Sequence, residues 1–141
     1  MKIRQITESD YEPLILFWKA HYFVNEVDDR KRFQQFLVMN PGLSLLVEDE
    51  GKILGTVLGS FDGRRGYIQK LVVHTAHRRR GIAKQLIKEV ISKLHALGVL
   101  YIPLSVEKEL TPFYESCGFK KTDQAPMNMS WSTFTYHSEK K

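Results

Sequence analysis

One stretch, residues 71–97, restricts the possible folds of this chain more than any other. It opens with Leu71-Val72-Val73, a run rich in the β-branched residues that suit a pleated strand. Its later apolar residues recur at the three- and four-residue spacing of one helix face: Ala83, Leu86, Ile87, Val90, Ile91, Leu94 and Leu97. Gly98 follows, where a left-handed helix cap is expected. The stretch predicts a buried strand, a turn and a long amphipathic helix.

The turn between them, Arg78-Arg79-Arg80-Gly81-Ile82-Ala83, is basic and contains a glycine. The first turn of a helix carries backbone N–H groups without helical partners and the positive end of the helix dipole, so it binds anions, above all phosphate. Gly81 and Ala83 are small enough to let a ligand approach the backbone. The spacing is neither the dinucleotide-binding fingerprint nor the P-loop. We expect a phosphate site here, with a solvated basic turn as the alternative.

Composition and charge limit the class of protein. The chain has 141 residues, enough for a core, and we expect one domain over residues 1–141. A net charge of +5 suggests an anionic ligand or partner without choosing between a nucleotide-like ligand and a nucleic acid. Cys117 is the one cysteine, which excludes an internal disulfide. The charged N-terminal residues leave no room for a signal-peptide core, and the apolar runs are too short to span a membrane. We expect a cytoplasmic protein.

Periodicity and turn residues predict the other elements. Strands are predicted over residues 2–6, 43–47, 52–61, 67–73, 99–106, 119–121 and 127–131. One helix carries the apolar stripe Tyr11, Leu14, Ile15, Trp18 and Tyr22, and a second ends at Met39. A short helix has Thr111 as its predicted N-cap and Gly118 at its end. The order β-α-α-β-β-β-α-β-α-β-β is that of an α/β protein with a mixed sheet, in which residues 99–106 lie parallel to residues 67–73.

Two separated motifs on this scaffold resemble those of the GNAT superfamily of N-acetyltransferases. The basic turn looks like the family's pyrophosphate-binding signature, and Phe113-Tyr114-Glu115-Ser116-Cys117-Gly118-Phe119 looks like its Phe-Tyr-Glu-x-x-Gly-Phe segment. In element order the resemblance covers nearly the whole chain. It implies acetyl-CoA as acyl donor and a small-molecule or peptide amine as acceptor. It also implies direct attack of the amine in a ternary complex, without a covalent enzyme intermediate.

The resemblance implies roles for particular residues. The main chain of Leu71, Val72 and Val73 would pair with the pantetheine arm of the donor like an added strand. Tyr114 matches the family's proton donor to the departing thiolate. No metal is implied, because His74 and His77 have no cysteine or carboxylate at ligand spacing. The pyrophosphate would be held by the basic turn, through Arg78, Arg79, Arg80, Gly81, Ile82, Ala83 and Lys84.

The motifs do not identify the general base or the acceptor. Ser105 stands where some relatives carry a glutamate, and Glu107 would share its face if the predicted strand continued. Glu107 is therefore a candidate base, with a water relay as the alternative. In relatives the first two helices and their connection border the acceptor cleft. Candidate contacts to a cationic acceptor are Phe17, His21, Phe23, Glu26, Asp28 and Asp29, with packing and helix capping as the alternative.

Two other functions stay open at this point. The glutamate and asparagine of the family are absent, which leaves room for a non-catalytic module that senses acetyl-CoA. Nucleic-acid binding is disfavoured, because the arginines cluster at one point instead of forming a stripe with stacking aromatic residues. The sequence does not choose the acceptor, or between a monomer and a homodimer.

Overall fold

The structure, a computed structural model, describes residues 1–132. Its sheet is antiparallel throughout, in the order β1 (Lys2–Gln5), β2 (Leu45–Asp49), β3 (Lys52–Phe61) and β4 (Gly66–Val73). The helices are α1 (Tyr11–His21), α2 (Arg30–Met39), α3 (Ile82–Ala96) and α4 (Thr111–Ser116). Helices α1 and α2 cover one face of the sheet and α3 covers the other, so that two apolar cores enclose it. This is the predicted α/β class.

The meander of β2, β3 and β4 confirms three predicted strands to within two residues. Residues 43–47 are buried throughout, as their nearly unbroken apolar run predicts. Glu50 and Gly51, at φ 50° and 77°, form the turn between β2 and β3, and two positive φ values in succession are typical of a type I′ hairpin. Local turn chemistry therefore fixes this part of the sheet.

Helix α3 packs closely on the sheet through the predicted apolar face. Leu86, Ile87, Val90 and Leu94 of that face are buried, and each contributes about 1.5–3 kcal/mol by leaving water. Ile82, which the predicted face does not include, is buried as well, whereas Leu97, which it includes, is 50% exposed because α3 ends at Ala96. A Cβ atom at Gly55 of β3 would lie only 2.7 Å from the Ile82 side chain. Glycine at this position therefore lets the start of α3 approach the strands.

The predicted parallel strand after α3 is wrong. Residues 99–106 form no ladder with β4. Within the described residues they share a single backbone hydrogen bond with β4, in which the Gly66 N–H donates to the Tyr101 carbonyl at 3.0 Å. A parallel ladder needs a row of evenly spaced donors, and Pro103 has no N–H to give. The segment therefore touches the beginning of β4 only.

The two predicted strands that follow are not formed either. Residues 119–121 and 127–131 have no regular structure, and Met127 and Trp131 are 93% and 88% exposed. An alternating pattern becomes a strand only where another edge can pair with it. Without a strand at residues 99–106 that edge is missing. The predicted frayed tail from Tyr136 to Lys141 lies outside the described residues.

The short helix α4 is confirmed, but its predicted N-cap is wrong. Leu110 is the N-cap, and Thr111 is already the first helical residue. Gly118, at φ 100°, follows the end of the helix as predicted. No helix within residues 1–132 combines the length and apolarity that crossing a membrane requires.

Candidate active site

The basic turn between β4 and α3 has the backbone geometry of an anion site. Arg79 and Gly81 adopt φ values of 65° and 80°, and Gly81 is the N-cap of α3. The first helical hydrogen bond runs from Gln85 N–H to the Gly81 carbonyl at 3.0 Å. The N–H groups of Ile82, Ala83 and Lys84 therefore precede the first helical bond. Left-handed residues in such a turn direct successive N–H groups into one concave nest.

The side chains of the turn leave room for a ligand and supply charge. No neighbouring atom lies within 4 Å of the position that a Cβ at Gly81 would take. Arg78, Arg79 and Arg80 are exposed, whereas Ile82 is buried and can offer only its amide. Open backbone, unbonded amides and positive charge together fit a diphosphate group.

The end of β4 presents main-chain groups to an open edge. His74 N–H donates to the Leu54 carbonyl of β3 at 2.8 Å. Inward and outward groups alternate along a regular strand, so the main chain of Val72, which pairs with Thr56, also faces β3, whereas that of Val73 faces outward. Leu71 lies in the irregular part of the β3–β4 register, where it has no paired residue on β3. Of the three predicted strand contacts, Val73 is thus placed to pair with an added chain, and Leu71 lies outside the regular ladder. Residues 99–106 approach only the opposite end of β4, which leaves this edge uncovered within residues 1–132.

The side chain of Tyr114 lies on the face of the sheet that α3 covers. It packs against the core beneath α3, as Leu71 and Val73 do. Its ring meets Phe113 and Phe119 edge-on, with centroids 5.1 and 5.8 Å away. Burial raises the pKa of Tyr114, and the nearby Cys117 raises it further. The phenol is therefore protonated at neutral pH and can donate a proton.

The strand that was predicted to orient Glu107 does not exist. Glu107 instead precedes a 3₁₀ turn, Lys108–Leu110, and its carbonyl accepts the Leu110 N–H at 2.9 Å. This turn leads directly into α4, which carries Tyr114. The half-buried Glu107 side chain is thus placed by the turn and not by strand alternation with Ser105.

Sequence reasoning missed Lys70, which stands on β4 just before the uncovered edge. Its side chain is 9% exposed and lies 3.1 Å from the Asp28 carboxylate, and its ammonium donates to the Phe23 carbonyl at 2.8 Å. Burial lowers the pKa of Lys70, while the charge of Asp28 opposes that shift. The backbone at Lys70 is left-handed, with φ 51°, beside an irregularity in the β3–β4 register. The available signal was the polar pair Gln69-Lys70 inside an otherwise apolar strand.

The connection between α1 and α2, residues 22–29, has three carboxylates that bind partners within the protein. Asp28 pairs with Lys70, Asp29 caps α2 by accepting the Arg32 N–H at 2.8 Å, and Glu26 accepts the Ser132 hydroxyl at 2.6 Å. The hypothesis that these carboxylates receive a cationic acceptor is therefore not supported. Capping and packing, the alternative, account for them.

The aromatic residues of α1 differ from their predicted placement. The stripe predicted Tyr22 in the core, yet Tyr22 is 47% exposed because α1 ends at His21. Phe17, which the stripe does not explain, is buried. The buried face of α1 is therefore rotated from the predicted stripe toward Phe17. The Tyr22 ring lies against the Lys70 ammonium instead of in the core.

Two histidines join α1 to the basic turn. The ring centroids of His21 and His74 lie 4.1 Å apart. Nδ1 of His21 accepts the Thr75 N–H at 3.2 Å, and Nδ1 of His74 accepts the Ala76 N–H at 3.1 Å. Burial lowers the pKa of His21, as do the charges of His74 and Arg78. In the part of the chain that the structure describes, no three His, Cys, Asp or Glu residues are grouped to hold a metal.

Comparison with known proteins decides the family. Residues 7–138 match the acetyltransferase (GNAT) domain. The chain belongs to the GNAT acetyltransferase family. An acetyltransferase of Photorhabdus laumondii is 36% identical over 110 residues, which is 77% of this chain and 77% of that protein. The match confirms the resemblance seen in the two motifs.

Solved structures confirm the GNAT fold at low sequence identity. Glucosamine-6-phosphate N-acetyltransferase from Arabidopsis thaliana superposes with a TM-score of 0.73 at 22% identity, covering 92% of this chain and 97% of that one. A predicted acetyltransferase from Clostridium acetobutylicum, solved with acetyl-CoA, has a TM-score of 0.72 at 19% identity and covers 90% and 95%. The fold is therefore shared over nearly the whole length of both proteins.

Proposed function

We propose that this GNAT acetyltransferase moves the acetyl group of acetyl-CoA to the primary amine of a small molecule or peptide. The observation that carries the proposal is the turn at Gly81, where unbonded amides, open space and three arginines meet at the start of α3. A diphosphate is the part of acetyl-CoA that such a turn recognises. The turn amides, with Arg78 to Arg80, hold that diphosphate.

The path of the donor follows from the order of the elements. The basic turn comes directly after β4, so a chain anchored there and lying along the open edge runs back from Val73 toward Leu71. The outward main chain of Val73, and that of Leu71 in the irregular part of the β3–β4 register, pair with the pantetheine arm as a neighbouring strand would. The acyl end then lies near Lys70, beside the α1–α2 connection.

Named groups in the chain meet the needs of the reaction. The amine nitrogen forms a bond to the thioester carbon, and the carbon–sulfur bond breaks. A main-chain N–H of Leu71 or Val73 stabilises the charge that develops on the carbonyl oxygen. Glu107 or a water molecule first removes a proton from the acceptor's ammonium, and the neutral amine then attacks. Tyr114 donates its proton to the departing thiolate. The nitrogen loses a second proton to solvent as the amide forms, and Tyr114 regains its proton from solvent.

The α1–α2 connection favours a particular acceptor class. Glu26, Asp28 and Asp29 all have partners within the protein, so additional positive charges on an acceptor would compete with those partners. The rings of Tyr22 and Phe23 supply apolar and aromatic surface at the same place. A monoamine with an apolar body fits this surface better than a polyamine does.

Release of free thiol from acetyl-CoA in the presence of single amines tests the proposal. The panel contains arylalkyl and alkyl monoamines, linear polyamines, amino acids and an aminoglycoside. We expect saturable thiol release, fastest with monoamines that carry an apolar body. Saturable acetyl-CoA binding without thiol release from any amine would instead favour the sensor function, and a failure to bind acetyl-CoA would contradict both.

A further inference from the structure

The Lys70 ammonium is enclosed by an unusual set of groups. It lies 5.0, 5.3 and 4.6 Å from the ring centroids of Trp18, Tyr22 and Phe23. The Asp28 carboxylate is 3.1 Å away and the Phe23 carbonyl 2.8 Å. We call Trp18, Tyr22, Phe23 and Asp28 the Lys70 cage. Several ring faces around one cation, closed by a carboxylate, form the arrangement with which proteins bind alkylammonium ligands.

The lysine occupies this cage against opposing forces. Burial disfavours its charged form, as its lowered pKa records. Its left-handed backbone, at φ 51°, is a conformation that residues other than glycine avoid. The Thr56 hydroxyl, which donates to the Lys70 carbonyl at 2.8 Å, helps to hold that backbone. The groups that oppose the cost of burial are the Asp28 carboxylate, the Phe23 carbonyl and the faces of the three rings.

We propose that the Lys70 cage is an alkylammonium-binding site that the chain fills with its own side chain, and that Lys70 thereby keeps the acceptor's ammonium out. The cage would hold an acceptor amine in its protonated form, which cannot attack a thioester. Filling it from within removes that unproductive binding mode. Only the exclusion of the acceptor rests on the proposed function; the affinity of the cage for ammonium does not.

Replacing Lys70 with glycine empties the cage. Lys70→Gly also relieves the left-handed backbone, so it is preferred to Lys70→Ala, which serves as a second variant. The group that Lys70→Gly removes corresponds to n-butylammonium, which is the probe. Thermal unfolding is followed in n-butylammonium chloride and in sodium chloride at equal ionic strength. The matched control is Lys88→Ala, which removes an exposed lysine from α3.

We expect n-butylammonium to raise the Tm of Lys70→Gly, by about 5 °C at ten times its dissociation constant. The wild type and Lys88→Ala should not respond, and Asp28→Asn in the Lys70→Gly background should weaken the response at least tenfold. If both Lys70 variants unfold alone, refolding in n-butylammonium but not in sodium supports the proposal. Equal Tm shifts in all variants, or no shift and no refolding, would overturn it. Because no acetyl transfer is measured, these outcomes are independent of the proposed function.

Discussion

The indole N–H of Trp18 on α1 donates to the hydroxyl of Thr56 on β3 at 3.0 Å. That hydroxyl donates in turn to the Lys70 carbonyl on β4 at 2.8 Å. Trp18 and Thr56 are both buried, so neither polar group can turn to water instead. The Thr56 hydroxyl thus connects α1 to Lys70, where the β3–β4 register is irregular. The acyl group of the donor is proposed to lie beside this point.

Removing this hydroxyl should destabilise the protein. Thr56→Val keeps the shape but leaves the Trp18 N–H without an acceptor, and we expect the free energy of unfolding to fall by about 2–3 kcal/mol. Urea denaturation measures the change. Ser60→Ala, on the same strand and only half-buried, should cost less than about 0.5 kcal/mol. Equal losses in the two variants would show that the Thr56 hydroxyl has no special role.

A negative charge at the start of α3 should weaken donor binding. Gly81→Asp places a carboxylate against the diphosphate, and we expect the dissociation constant of acetyl-CoA, measured by calorimetry, to rise at least about tenfold. Gly63→Asp is the matched control, since Gly63 also has positive φ and no atom within 4 Å of a Cβ, but lies in the β3–β4 turn. If the two variants bind acetyl-CoA alike, the diphosphate is held elsewhere.

Tyr114→Phe separates binding from chemistry. The variant keeps the ring contacts with Phe113 and Phe119 but removes the proton donor, so kcat should fall by about 100-fold while acetyl-CoA affinity is unchanged. Because the pKa of Tyr114 is raised, the wild-type kcat should not decline through loss of this proton until the pH exceeds about 10. Tyr67→Phe, which removes an exposed hydroxyl of β4 that donates to Asp62 in the β3–β4 turn, should leave kcat unchanged. Parallel losses of kcat and affinity in Tyr114→Phe would argue against an acid role.

The burial of His21, together with its contact with His74, makes stability depend on pH. The pKa of His21 is lowered in the folded protein, so below an unfolded value of about 6.5 the unfolded chain binds more protons and stability falls. The fall is complete once the pH drops below the folded pKa. We expect the loss of Tm between pH 7.5 and 5.5 to be smaller in His21→Gln than in the wild type. His95→Gln, at an exposed site on α3, should follow the wild-type profile; identical profiles for all three proteins would refute the coupling.

The parts of the fold that the sequence predicts correctly depend on local signals. Strands β2 to β4 are bounded by turn residues such as Glu50 and Gly51, and α3 has an unbroken apolar face of 3.6-residue period. The strand predicted at residues 99–106 does not form, because a strand also needs a partner along its whole length. Apolar composition alone does not supply that partner.

The same distinction holds at the site. The basic turn was predictable, since a strand, three arginines and a glycine stand next to one another before a helix. The ion pair of Lys70 and Asp28 was not, because it joins residues far apart in the chain and depends on how α1 rests on the sheet. The orientation of Glu107 was predicted incorrectly, because it was inferred from a strand that does not form.

The central claim is that the amides at the start of α3 hold the diphosphate of acetyl-CoA. Addition of coenzyme A to the ¹⁵N-labelled protein, followed by amide chemical shifts, tests it most directly. The account predicts saturable shifts that are largest for Gly81, Ile82, Ala83 and Lys84, with smaller ones at Leu71 and Val73. Saturable binding that leaves the four amides of the turn unmoved would contradict it.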